Sequence, residues 1–307
     1  MTEHTHAHSH PDGLGGVKGK NLLITIALKI VLTIAEVLGG WFSGSLSLLS
    51  DALHNLNDVL SIVISWFAVK MAAKEHDKKN TFGYRRATII AAVINATLLI
   101  IMSLFLFREA YFKFIQPEKI NALLVIVIAA IGIVLNAVAV YLLHKSSGDD
   151  LNMRAVYLHF LSDALSSVGV MVGGIVIYYF DAYWIDPSLT VMIGLYILKE
   201  SYEILKESTN ILMQGTPKTV DIDEIAEELE KMDAIKNIHH VHIWALDEHT
   251  LFFEAHVNLQ NDILVSELSD VYAKLEQLLK GRFGVTHLTI QFEYNCCEDA
   301  GRVLDKE

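Results

Sequence analysis

Apolar residues run in long blocks through roughly the first two thirds of the chain and in short alternating patches through the remainder. A helix crosses a bilayer with about 20 mostly apolar residues. Runs of that kind occupy residues 21–42, 48–72, 87–107, 121–144 and 155–178. A sixth begins at Asp186-Pro187, where an acid at the N-cap and proline at the first helical position predict a helix start. Its apolar stretch is short before Lys199 and Glu200, so the helix is expected to run on beyond the hydrocarbon through Leu205 to Leu212. Gly215 and Pro217 then break it. Small residues allow helices to approach closely in a membrane. Gly39-Gly40, with Ser166, Ser167 and Gly169, are expected to do this, and Ser43-Gly44-Ser45 to form a tight turn.

Past Pro217 the period changes. Asp221 to Met232 reads as an acidic amphipathic helix, and Val265 to Leu279 as a second helix. Ile238 to Leu246, Leu251 to Val257 and Val285 to Phe292 alternate as strands, the first two joined by a turn near Asp247-Glu248. The order αββαβ predicts a ferredoxin-like α+β layer, a sheet with two helices on one face. Parity assigns Val241, Ile243, Leu251, Phe253, Val257, Leu288, Ile290 and Phe292 to the helix side. His240, His242, Glu254, His256, His287 and Glu293 fall on the other face. The expected organisation is a His-rich cytoplasmic tail at 1–20, a six-helix transmembrane domain at 21–212 and a cytoplasmic domain at 213–307.

Composition supports this division. Of 307 residues 52% are hydrophobic, more than an ordinary soluble protein carries, so the lipid bilayer is the first partner. A formal net charge of −12 argues against nucleic acid, which wants a basic face. The two cysteines, Cys296 and Cys297, are adjacent, which rules out a disulfide framework. Short Lys/Arg-rich loops stay cytoplasmic. The 74–86 loop holds Lys74, Lys78, Lys79, Arg85 and Arg86 against Glu75 and Asp77, so it and both termini are expected in the cytoplasm. The 108–119 loop, with Arg108, Lys113 and Lys119, runs against that bias.

Within this frame, polar residues in the apolar spans carry the candidate chemistry. His54 and Asp58 stand four apart in the second span, and His159 and Asp163 four apart in the fifth. Residues i and i+4 share a helix face. Each helix can thus aim an imidazole and a carboxylate at one point, and two helices supply the four-coordinate nitrogen and oxygen set that suits Zn²⁺. A charge in hydrocarbon costs about 2.5–3.5 kcal/mol on insertion scales, which argues for a use. The plainer alternative is a hydrogen bond within each helix. Asp51 shares the face of His54, Asn55 and Asp58, and either orients His54 or faces a helix terminus. His4, His6, His8 and His10 alternate in a polar tail that can gather metal loosely or serve no essential role.

These residues resemble the cation diffusion facilitator family, and specifically its zinc-type branch. The matching stretches are Ser43-Gly-Ser-Leu-Ser-Leu-Leu-Ser-Asp-Ala-Leu-His-Asn-Leu-Asn-Asp58, Thr81-Phe-Gly-Tyr-Arg-Arg-Ala87, His159-x-x-x-Asp163, His242-Ile-Trp-Ala-Leu246 and Thr289-Ile-Gln-Phe-Glu293. They follow the family's order from the first span to the last strand. The resemblance implies a homodimeric exporter that exchanges Zn²⁺ for protons by alternating access, with His54, Asp58, His159 and Asp163 as its transport site. It further implies metal binding in the cytoplasmic domain at His239, His256 and Glu293, with His240, His242, His287, Cys296 and Cys297 as outlying candidates. Parity puts His239 on the helix side, so this reading requires a bulge or a late start in the first strand. A loop site of some relatives has only Asp77 here, with Asn80 and Tyr84 where histidines would stand and His76 nearby.

Two imidazoles with two carboxylates favour Zn²⁺, admit Cd²⁺ or Co²⁺ and disfavour Mg²⁺. The competing class is a membrane-anchored zinc sensor that moves nothing. An intramembrane metalloenzyme would need an open metal position and a general base, and no His-Glu-x-x-His occurs; an enzyme is not expected.

Overall fold

The computed structural model describes residues 16–147, 151–247, 250–297 and 301–303, with the side chains of 16–23 and 143–159 outside that description. Residues 1–15, with the four tail histidines, also lie outside the described residues. Six long helices come first: α1 (Gly16–Ser43), α2 (Leu46–Ala72), α3 (Ala87–Ile115), α4 (Ala122–Ser147), α5 (Leu151–Phe180) and α6 (Ile185–Leu212). Helix α1 thus begins inside the stretch expected as tail. After them come α7 (Ile222–Glu230), β1 (Ile235–Ala245), β2 (Leu251–Leu259), α8 (Leu268–Phe283) and β3 (His287–Tyr294). The chain clusters into two units, Met1–Ile64 with Asn95–Tyr202 and Ser65–Ile94 with Glu203–Glu307. The ends of α2 and α3 on either side of their loop therefore group with the C-terminal part.

Among the described residues five helices are long and apolar enough to cross a membrane: Ile24–Ser43, Leu46–Ala72, Ala87–Ile115, Ala122–Leu142 and Phe160–Phe180. Helix α6 falls short of that measure because Asp186, Lys199, Glu200 and Glu203 punctuate it. In the first unit α1 is built inside out. Its buried positions are Thr25, Lys29, Leu32, Thr33, Glu36, Gly39, Gly40 and Ser43, whereas Val31, Ile34, Leu38 and Trp41 point outward. Lipid solvates the apolar side chains and cannot solvate the polar ones, so the polar stripe turns to the bundle interior. Gly39 lets α1 close on α4: a Cβ there would stand 2.7 Å from Ile128 Cγ1. Gly169, expected at a tight contact, has open space around it; Gly173 and Gly174 make the close approaches of α5, to Leu189 and Ile126.

The start of α2 has an unexpected cap. Asp186, read from sequence as the N-cap of its own helix, lies inside the first turn of α6 and turns its carboxylate to α2. There it accepts from the amides of Leu46 (2.7 Å) and Ser47 (3.1 Å) and from the hydroxyls of Ser45 and Ser47 (2.6 Å each). A carboxylate at a helix N-terminus satisfies amides that the helix leaves unpaired. The turn before it runs through Gly44 at φ +73, and the Gly44 carbonyl accepts from the Lys113 ammonium.

The second unit has the expected αββαβ order. The sheet runs β1-β2-β3, with β1 antiparallel and β3 parallel to β2. Its core joins Ile225 and Leu229 of α7, Leu275 and Leu279 of α8, and Val241, Ile243, Phe253 and Val257 of the sheet. Leu251, Leu288, Ile290 and Phe292 pack against it, on the side that parity assigned. Asp221 caps α7 by accepting from the Asp223 amide. Register shifts between His239 and His242, where His240 takes φ +53, and this bulge turns His239 from the helix side that parity assigned to the face of its cross-strand partner His256.

Candidate functional site: an acid and imidazole cluster among membrane helices

Helix α2 carries His54 and Asp58 on one face, and α5 brings Asp163 to meet them. One ligand atom from each of the three lies within 4.8 Å of the other two. His54 Nε2 is 3.8 Å from Asp58 Oδ2 and 3.7 Å from Asp163 Oδ1. Asp163 is buried, and His54 and Asp58 are nearly so. His159 stands one helical turn before Asp163 on α5, but its side chain lies outside the described residues.

A fourth charged group, absent from the reading of the sequence, completes the cluster. Lys29 of α1 sets its ammonium 2.6 Å from Asp58 Oδ2 and 2.7 Å from Asp163 Oδ2, and 5.0 Å from the Phe160 ring centre. Lys29 and Glu36 lie seven apart in an otherwise uncharged span, hence on one face, and that spacing was the signal available. A lysine in hydrocarbon must find an acid or a wet cavity.

Next to the cluster a second layer of polar residues ties the helices together. Asn55 donates to Glu36 Oε2 at 2.7 Å, joining α2 to α1. Asp51 accepts from Ser166 at 2.9 Å and from Ser167 at 3.3 Å, joining α2 to α5. The two serines expected at a close helix contact therefore act as donors. Asp51 braces the helix that bears His54 and faces no helix terminus.

The sheet holds a separate group. His239 and His256 are cross-strand partners, and Glu293 of β3 reaches both, 3.3 Å from His239 Nε2 and 2.8 Å from His256 Nδ1. Cys297 joins His239 and Glu293 within ligand distance. The His240 ring stacks on that of His256 at 4.6 Å, and His242 packs edge-on against His240. Cys296 and Cys297 place their sulfurs 2.7 Å apart, and this contact pushes the Cys296 thiol up to about 11. His287 is elsewhere. Its ring lies 4.6 Å from Phe252, in a cavity of about 660 Å³ shared with Lys74, His76, Phe82 and Arg85.

In the α2–α3 loop, Asp77 spends both carboxylate oxygens on the chain itself. Oδ1 accepts from the amides of Lys79 and Asn80 at 2.7 Å each, and Oδ2 from the Tyr84 hydroxyl at 2.9 Å. Those amide bonds hold the Asp77 carboxyl below its ordinary range, and the bond to Asp77 raises the Tyr84 phenol. The loop thus closes by hydrogen bonds where some relatives are expected to bind metal.

A family model described as the cation efflux transmembrane domain matches residues 22–213, and one for the cytoplasmic domain of cation efflux proteins matches 217–295. The metal cation efflux system protein CzcD of Cupriavidus metallidurans is 37% identical over 295 residues, 96% of this chain and 92% of its own length. A cadmium, cobalt and zinc/H(+)-K(+) antiporter of Bacillus subtilis is 36% identical, over 93% of this chain and 91% of its own. The zinc transporter ZitB of Escherichia coli is 30% identical, over 96% and 93%. Long apolar helices that gather acids and an imidazole at their centre, followed by a small mixed sheet, define a class: the multi-pass membrane transporters of divalent metal cations. Within that class this chain belongs to the cation efflux family, the cation diffusion facilitators, as a metal exporter of the zinc type.

Proposed function

We propose that this protein exports Zn²⁺, with Cd²⁺ or Co²⁺ as further substrates, in exchange for protons. The observation that carries the reading is the meeting of His54, Asp58 and Asp163 from two membrane helices, with His159 one turn from Asp163 as the fourth ligand. Oxygen and imidazole ligands in a tetrahedral set fit Zn²⁺ better than Mg²⁺. The names of the relatives, among them a zinc transporter and a cadmium, cobalt and zinc/H(+)-K(+) antiporter, lean the same way.

Imidazole titrates near pH 6.5 when unperturbed, and only its neutral form binds metal. A site open to a more acidic exterior loses affinity as His54 and His159 take up protons, and the ion leaves. Opened to the cytoplasm it sheds them and rebinds metal. That difference in affinity between two states is what drives an alternating-access cycle. Both termini lie in the cytoplasm and the protein works as a homodimer. The tail at 1–20, the transport domain at 21–212 and the cytoplasmic domain at 213–307 are its parts, and His239, His256 and Glu293 bind metal in the last.

The sheet cluster also suits a sensor that binds zinc without moving it. Zinc uptake into proteoliposomes under an imposed pH gradient separates the readings. The exporter gives gradient-dependent flux that Asp58→Ala and Asp163→Ala abolish while expression and dimerisation persist. Flux retained in either variant refutes the site, and no flux from the wild type favours the sensor.

A further inference from the structure

We propose that Lys29 is a tethered competitor cation, whose ammonium fills the place of the transported ion between Asp58 and Asp163 and must be displaced when metal binds. This rests on the transport-site reading above. The ammonium bonds Oδ2 of Asp58 at 2.6 Å and Oδ2 of Asp163 at 2.7 Å, one oxygen from each helix. Zinc binds carboxylate oxygen at about 2.0–2.2 Å. An ion taking those two oxygens would stand against the ammonium, with a doubly and a singly charged cation in a poorly screened interior. The two therefore exclude each other.

The side chain suits this part. Lysine is a compact charge on a flexible four-carbon stem, so the ammonium can leave and return without movement of α1. In place, it compensates two carboxylates that would otherwise face each other in hydrocarbon. Its return helps to expel the metal, which lowers affinity and speeds release. A site that the ammonium fills nine-tenths of the time binds metal about tenfold more weakly than the same site without it.

The test is zinc binding to the full-length, detergent-solubilised protein by titration calorimetry at one fixed pH. It follows the class of sites that Asp58→Asn and Asp163→Asn abolish. Lys29→Gln removes the competitor and is expected to tighten that class about tenfold, while lowering maximal zinc flux in proteoliposomes. Lys29→Arg keeps a cation that grips carboxylates with a planar fork, and is expected to weaken zinc binding about tenfold. The Arg variant retains the buried ion pairs and decides the matter alone should the Gln variant fail to fold. A counter-ion needed only for structure predicts weaker binding in Lys29→Gln. That result, or wild-type affinity in Lys29→Arg, overturns the proposal and leaves the transport site standing. Retention of the same zinc class in Asp58→Asn and Asp163→Asn removes the transport-site reading and the proposal with it.

Discussion

Asp186 on α6 accepts the backbone N–H of Leu46 on α2 at 2.7 Å, although 140 residues separate them in the chain. The bond sits at the end of the helix that carries His54 and Asp58. It joins α6 to the helix bearing half of the proposed transport site.

Asp186→Ala removes the acceptor of four hydrogen bonds at one buried point. The expected loss is about 1–3 kcal/mol, a fall in Tm of roughly 2–12 °C for a unit of this size. Thermal unfolding in detergent measures it. An unchanged midpoint would mean that the carboxylate does not hold α2.

Gly39 sets how near α1 comes to α4. Gly39→Ala forces its Cβ against Ile128 Cγ1, and overpacking of this kind costs about 1–3 kcal/mol. Ile128→Ala in the same protein should restore part of the loss. A double-mutant cycle on thermal stability gives the coupling, and strict additivity would contradict the contact.

Glu293 joins His239 to His256. Glu293→Gln is expected to weaken zinc binding by the cytoplasmic part at least about tenfold, read by calorimetry in an Asp58→Asn background. Cys297→Ser should cost Cd²⁺ affinity more than Zn²⁺ affinity, because thiolate is the softer ligand. Equal losses for the two metals would exclude Cys297 from the coordination.

The loop at Asp77 has a pH dependence whose sign follows from its hydrogen bonds. A carboxyl held below its ordinary value contributes stability in full above about pH 3.9 and loses it as pH falls through the depressed value. Protection of the Lys79 and Asn80 amides from hydrogen exchange should thus be level from pH 5 to 8 after correction for intrinsic rates. Tyr84→Phe should lower it throughout that range. A rise in protection across neutral pH would contradict the assignment.

Much of this was legible along the chain because each signal is local. His54 and Asp58 share a face through helical geometry alone, and the period-two alternation sorted Val241, Ile243, Phe253 and Val257 to the buried side. The bulge at His240 was foreseen as one of two ways to bring His239 to Glu293, and the structure has it. Asp186 could not be read correctly. An acid before proline signals a helix start, but nothing local says that its carboxylate will cap a different helix. His287 has the parity of His242, His256 and Glu293 and still lies apart from them, against Phe252, since parity selects a face and not a position along it.

By itself the sequence determined the membrane helices, the αββαβ layer and which side chains each element could offer. Those follow from periodicity and from the cost of polar groups in lipid. Only the tertiary structure decided that Lys29 reaches Asp58 and Asp163, that Asp51 bonds Ser166 and Ser167, and that Cys297 stands with His239 and Glu293. Those pairings join distant parts of the chain, and the packing of whole helices and strands, which no local pattern encodes, brings them within hydrogen-bond reach.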